Sequence, residues 1–230
     1  MKLLDRLIGN QIRQPDGWAG RLLGHLMALE HRSLTRWAFD QLDLHHDDRV
    51  LELGCGNGAA IKVAASHTLD GYVVGIDYAP YMVRAARRRT SHIAERGQAT
   101  VLQADVAALP FAPASFQKAF AIETFYFWPD PQRNLAGILS LLTPGGRLVL
   151  AMDISKEGRD QLRILDSAHR LDIVVYSREE LATLLQQAGF VEVEVETKPD
   201  VGQGWILASG TRPATPRQSS DPPRPPSRTS

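Results

Sequence analysis

From residue 49 the chain alternates short β-rich runs with helical stretches, and no other feature limits its fold as strongly. The runs are RVLELG (49–54), YVVGID (72–77), TVLQAD (100–105), FQKAFAIETF (116–125) and GRLVLAMDI (146–154). Helical stretches over 58–67, 80–90 and 131–142 separate most of them. Strands that alternate with helices require a parallel sheet covered on both faces. The third helix is the best marked: Asp130 suits its cap, Pro131 its first position, and Thr143-Pro144-Gly145-Gly146 its end. Residues 156–176 show no strand pattern and read as helix plus loop. SREE at 177–180 is a capping box for a helix ending at Gly189. VEVEVETK (191–198) and GWILASG (204–210) follow, joined by a Pro199-Asp200 turn. Two strands so closely linked pair antiparallel at a sheet edge. The expected fold is α/β: a doubly wound, seven-stranded, mostly parallel sheet with a C-terminal antiparallel hairpin.

Three units are expected: a helical N-terminal cap over 1–45, the α/β domain over 46–211, and a disordered tail over 212–230. In the first, Trp18, Leu22, Leu23, Leu26 and Met27 follow helical spacing. Ser33 suits the N-cap of a helix carrying Leu34, Trp37 and Ala38. The last twenty residues hold six prolines and no large apolar side chain, too little burial to offset the entropy of ordering. The 26 basic and 26 acidic side chains cancel, so the basic excess of a nucleic-acid binder is missing. The single cysteine, Cys55, excludes an internal disulfide framework and fits a reducing compartment. No apolar run is long enough to span a membrane, and the start is not a secretory signal, so a cytoplasmic location is expected. No feature fixes an oligomeric state.

The chemistry gathers at LELGCGNG, residues 51–58. A strand entering a Gly-rich turn and then a helix aims backbone N–H groups at one point, and glycines let a ligand come close. GCGNGA also matches the permissive dinucleotide fingerprint, and Asp77 lies 21 residues beyond Gly56, where a carboxylate meets ribose hydroxyls. On spacing alone, an NAD(P)-binding oxidoreductase remains open. Glu52 argues against it. A carboxylate about 4 Å from a phosphate charge is repelled by about 4 kcal/mol at an effective dielectric of about 20. A ligand with ribose and adenine, no phosphate and a cationic end suits this loop better, and S-adenosylmethionine has that composition.

Four segments together resemble the class I S-adenosylmethionine-dependent methyltransferases, most closely the small-molecule branch that includes quinone-biosynthesis methyltransferases. VLELGCGNG (50–58) is similar to the first motif of that family, GIDYAPYMVRAA (75–86) to the second, and QADVAALPF (103–111) to the third. LLTPGGRLVL (141–150) resembles the segment entering the fifth strand. The resemblance implies a Rossmann-like sheet and S-adenosyl-L-methionine as methyl donor. It implies that Glu52 faces the methionine end, that Gly54, Gly56 and Gly58 line the methionine and sulfonium, and that Asp77 holds the ribose. Tyr78 would lie against the adenine, Asp105 would hold its amino group, and the Val106 backbone would read the ring edge. Gln117 and Ala104 depart from residues common in the family, at places away from these contacts. ETFY at 123–126 departs from the Asn/Asp-Pro-Pro-Tyr/Phe of relatives that methylate DNA amines or glutamine. A small-molecule acceptor is therefore expected, with a protein or RNA methyltransferase as the alternative.

Alignment of acceptor, methyl group and sulfur supplies most of such a reaction, so a catalytic base leaves no obligatory signature. TFYFWPDP follows the fourth strand at the end where the methyl group points. Tyr126 or Trp128 there either walls an apolar acceptor or packs in the core. Glu123 reads as a base, an amine contact or a solvated strand end. Residues 153–176 and 10–21 are expected to form a lid, with His169 as candidate base and Tyr176 and Arg13 behind it. The histidines show no metal-ligand spacing, so no metal is expected. Cys55 reads as a small residue fitting the loop, and Arg84, Arg87, Arg88 and Arg89 as a solvated helix face or a phosphate contact.

Overall fold

A computed structural model describes residues 32–214. The expected helical segments before residue 32, with Arg13 and the 10–21 part of the lid, lie outside the described residues, as does the tail beyond 214. The elements in order are α1 (Arg32–Leu42), β1 (Arg49–Leu53), α2 (Ala59–His67), β2 (Tyr72–Asp77), α3 (Pro80–Arg89), α4 (Ser91–Glu95) and β3 (Ala99–Gln103). Then come β4 (Phe116–Ile122), a 3₁₀ turn (Phe125–Phe127), α5 (Pro131–Leu141), β5 (Leu142–Met152), α6 (Gln161–Leu171), α7 (Arg178–Gln187), β6 (Val191–Lys198) and β7 (Trp205–Thr211).

The seven strands form one sheet in the order β3-β2-β1-β4-β5-β7-β6. The first five are parallel, and β7 runs antiparallel to both β5 and β6. Sequence explains these places. β1 is buried from Val50 to Leu53, as a strand covered on both faces must be. β7 reads ILASG without a charge, is buried along that stretch, and sits inside the sheet. β6 alternates valine with glutamate and takes the edge, where charge blocks further pairing. The hairpin therefore adds at the β5 edge with its second strand inward.

Two apolar clusters cover the faces. Leu34 and Trp37 of α1, Ile61 of α2 and Val83 of α3 pack with Val50, Phe120 and Val149 on one side. Leu135 and Ile138 of α5, Ile164 of α6, and Leu181 and Leu185 of α7 pack with Leu51, Phe116 and Leu148 on the other. Truncating a side chain such as Phe120, fully buried, would cost about 3–5 kcal/mol.

The caps expected from sequence are present. Asp130 accepts from the Arg133 N–H at 3.1 Å, and Ser177 and Glu180 form the reciprocal box. Four boundaries differ. Ser33 lies within α1 and is not its cap. β5 begins at Leu142, and Thr143–Gly146 bulge between its pairings with Phe116 and Lys118. β3 stops at Gln103, before Asp105. β4 stops at Ile122 because Glu123 takes a left-handed conformation, φ 60°, and turns the chain off the sheet.

Candidate functional site

The loop after β1 turns because Gly54, Gly56 and Gly58 adopt φ values of 78°, 50° and 78°, which favour glycine. Their surroundings separate their roles. A Cβ on Gly54 would fall 2.4 Å from Thr124 Cγ2, and one on Gly58 would fall 3.1 Å from the Ala86 backbone. Those two glycines let β4 and α3 come close. A Cβ on Gly56 would meet no atom of the described residues within 4 Å. The middle glycine is thus the one whose missing side chain leaves free space beside the loop. Gly75 is a fourth requirement, since a Cβ there would lie 2.4 Å from Ile61 Cδ1.

Hydrogen bonds fix the loop to β2. The Gly54 and Cys55 N–H groups both donate to the Ile76 carbonyl, at 2.9 and 2.7 Å. The Gly56 N–H donates to Asp77 Oδ2 and the Ala79 N–H to Asp77 Oδ1, each at 2.8 Å. Burial raises the Asp77 pKa, and the two N–H donors pull it back. The Thr124 hydroxyl donates to the Leu53 carbonyl at 2.9 Å, and Arg89 Nη1 donates to Asn57 Oδ1 at 2.8 Å. Arg87 donates to the Val101 carbonyl at 3.0 Å. Two of the four arginines considered for a phosphate are therefore engaged within the fold.

Beneath this loop lies Glu52, 4% exposed, with Oε2 buried and unpartnered. Burial first, and the nearby Asp77 carboxylate second, hold its pKa well above the usual range. Burial, Glu52 and Asp77 likewise raise the Cys55 thiol, so it is an unreactive filler of the loop. Tyr78 follows β2 and is 59% exposed. Asp105 is exposed beyond β3, where its Oδ1 accepts from the Ala107 N–H at 2.9 Å, and Val106 packs partly against the core. The Ala104 N–H donates to the Asp77 carbonyl at 3.1 Å, tying this segment to β2. Glu52, the three glycines and Asp77 are thus brought together, with Tyr78, Asp105 and Val106 on the adjacent strand ends.

A second cluster forms at the ends of β4 and β5. Glu123 Oε1 accepts from the Asp153 N–H at 2.6 Å, and Oε2 accepts from the Tyr126 hydroxyl at 2.8 Å. Burial, then the Asp153 charge, push the Glu123 pKa well up, and burial with Glu123 raises Tyr126. Trp128 packs edge-on to Phe125 with ring centres 4.9 Å apart, and Tyr176 also packs against Phe125, at 5.1 Å. His169 is exposed in the last turn of α6. Sequence reading missed Asp153 and Thr124. The available signal was that AIE and AMD each close an apolar run on neighbouring strands.

Two open grooves lie elsewhere. One, about 390 Å³, is lined by Arg159, Arg163, Asp200 and Gln203, and the other, about 420 Å³, by Lys156, Val174, Tyr176 and Leu184. Among the described residues no group of three or more His, Cys, Asp or Glu side chains could hold a metal ion, and no helix is long and apolar enough to cross a membrane.

Residues 51–150 match the family model described as a methyltransferase domain. The chain is 33% identical to the O-methyltransferase rstn1 of Aspergillus nomiae over 164 residues, covering 70% of this chain and 72% of that protein. It is 32% identical to a 27-O-demethylrifamycin SV methyltransferase of Amycolatopsis mediterranei, covering 76% and 66%. Its fold resembles a Haloferax volcanii structure described as a complex of the Trm112 methyltransferase activator with a putative methyltransferase. The TM-score is 0.74 at 23% identity, over 85% of this chain and 96% of that one. The chain belongs to the class I S-adenosylmethionine-dependent methyltransferases.

Proposed function

We propose that this methyltransferase transfers a methyl group from S-adenosylmethionine to the hydroxyl of a small molecule, and that the cofactor lies along the crest of β1, β2 and β3. One observation supports the placement: at the strand end that leads into this loop, Glu52 keeps a buried oxygen without a partner among the described residues, and a Cβ on Gly56 of the same loop would meet none of their atoms within 4 Å. The donor set fits the group. Glu52 supplies charge for an ammonium, Gly56 leaves room for close approach to the loop, and Asp77 and Asp105 supply acceptors for ribose hydroxyls and the adenine amine. Tyr78 offers an exposed ring face, and Val106 its backbone. When bound, the cofactor supplies a methyl carbon already activated by its sulfonium.

The chain's own contribution is alignment and a proton acceptor. Asp77 holds Gly56 in place while keeping lone pairs for a ligand. Glu123 lies beside the Asp153 charge, and two carboxyl groups so placed resist ionising together, leaving one of them charged. That remaining charge takes the proton a hydroxyl acceptor loses, and the Tyr126 hydroxyl orients Glu123 Oε2. His169, exposed on α6, is the weaker candidate base. The hydroxyl assignment rests on the O-methyltransferases among the relatives. The neutral net charge disfavours an RNA acceptor. The units proposed are a helical cap over 1–45, the methyltransferase domain over 46–211 and a tail over 212–230. A single buried thiol suits a cytoplasmic, reducing setting.

Calorimetry tests the cofactor. Micromolar affinity for S-adenosylhomocysteine with no heat from NAD(P) is expected, and the reverse would sink the proposal. Mass spectrometry tests the acceptor: hydroxylated small molecules should gain one methyl group, and protein or RNA substrates should not.

A further inference from the structure

Glu52 is buried in the middle of the sheet, and nothing among the described residues neutralises it. Its side chain shares a sheet face with Gly75 of β2 and Phe120 of β4, its partners in register. Gly75 carries no side chain, and the space beside it is filled by Ile61 of α2 and by Cys55. The ionisable groups bearing on Glu52 are therefore Asp77 from the end of β2 and Cys55 from the loop. Both are acids, and no basic side chain among the described residues bonds or pairs with Glu52. Oε2 lacks any donor, although backbone N–H groups crowd the loop above it. Those of Gly54 and Cys55 are committed to Ile76, and that of Gly56 to Asp77. A carboxyl in such a place takes up a proton rather than stay charged. An opposite charge within about 4–6 Å reverses that preference.

We propose that Glu52 is a neutral carboxylic acid in the free protein and that docking of the cofactor's ammonium group expels its proton. The inference rests on the cofactor site proposed above and adds its proton linkage. The group is protonated when free and ionised when bound, so the proton is a product of binding. Affinity then tightens as pH rises, by about tenfold per pH unit while the whole proton is released. A ligand presenting pyrophosphate at this point has no charge with which to draw the proton off, so one residue both recognises and discriminates.

S-adenosylhomocysteine keeps the ammonium group and serves as the probe. Its binding to the whole chain would be measured by calorimetry near pH ~7 in phosphate and in Tris, which differ widely in ionisation enthalpy. The two heats should differ by the amount that corresponds to release of about one proton. Glu52→Gln should bind more weakly, with a heat that no longer depends on buffer. Proton release that persists in Glu52→Gln would overturn the assignment. Buffer-independent heat in the unaltered protein, with an affinity flat from about pH 6 to about pH 8, would overturn the linkage and leave the cofactor site standing. Absence of S-adenosylhomocysteine binding in any buffer would overturn both.

Discussion

At the ends of β1 and β2 the polar groups are held by backbone; at the ends of β4 and β5 they are held by one another. Asp77 accepts two main-chain N–H groups, and the loop it steadies is shaped by glycine dihedrals. Glu123 is bound instead by a tyrosine hydroxyl and one N–H, with the Asp153 charge bearing on it. Backbone geometry serves a ligand whose shape never changes. Side chains can be exchanged one at a time, which suits the half proposed to match a particular acceptor.

Substitutions that strike one half should spare the other. The largest effect is expected from Gly54→Ala, which adds a left-handed Ala of about 1–2 kcal/mol to a clash of about 1–3 kcal/mol with Thr124. At about 2–4 °C per kcal/mol for a chain of this size, scanning calorimetry should show a melting temperature lower by roughly 5–15 °C. S-adenosylhomocysteine binding should be lost with it. A small shift with binding intact would mean that the loop is not set by that contact. Next comes Asp77→Ala. It should weaken S-adenosylhomocysteine binding by about 1.5–3 kcal/mol, roughly ten- to hundredfold, because acceptors for both ribose and loop disappear. Unchanged affinity in a titration would remove Asp77 from the site. Tyr126→Phe deletes one hydrogen bond to Glu123 and should cost about 1 kcal/mol in urea unfolding. Cofactor affinity should stay within twofold or so, and a larger loss would show that the halves are coupled. His169→Ala should change stability by less than about 0.5 kcal/mol, as for most surface positions. A large fall in methyl transfer in that variant, once an acceptor is known, would move the base from Glu123–Asp153 to α6.

The same division explains what could be read from the sequence. Strand order of type, helix caps and the Gly loop follow local rules, so Asp130, the Ser177–Glu180 box and the turn at Gly54–Gly58 were visible in the residues. Glu52 stood out because a carboxylate at the mouth of a loop of phosphate-binding type would repel a phosphate. The Glu123–Asp153 pair was not visible, because it joins residues 30 positions apart whose meeting depends on β4–β5 register. The aromatics show a different limit: periodicity identifies Phe125, Trp128 and Tyr176 as apolar but not which way they turn. Boundaries slipped where a positive φ intervened. At Glu123 nothing in a non-glycine residue announces it.

The place of β7 has a consequence for how the chain assembles. β5 pairs with β7 and not with β6, although β6 is made first. During synthesis β5 must therefore wait, with Leu148 to Ala151 on an open edge, until residues 205–211 emerge. Closing the sheet requires a contact distant in sequence, which slows folding and leaves a sticky intermediate. Chains cut short before Trp205 would keep that edge permanently bare and associate through it.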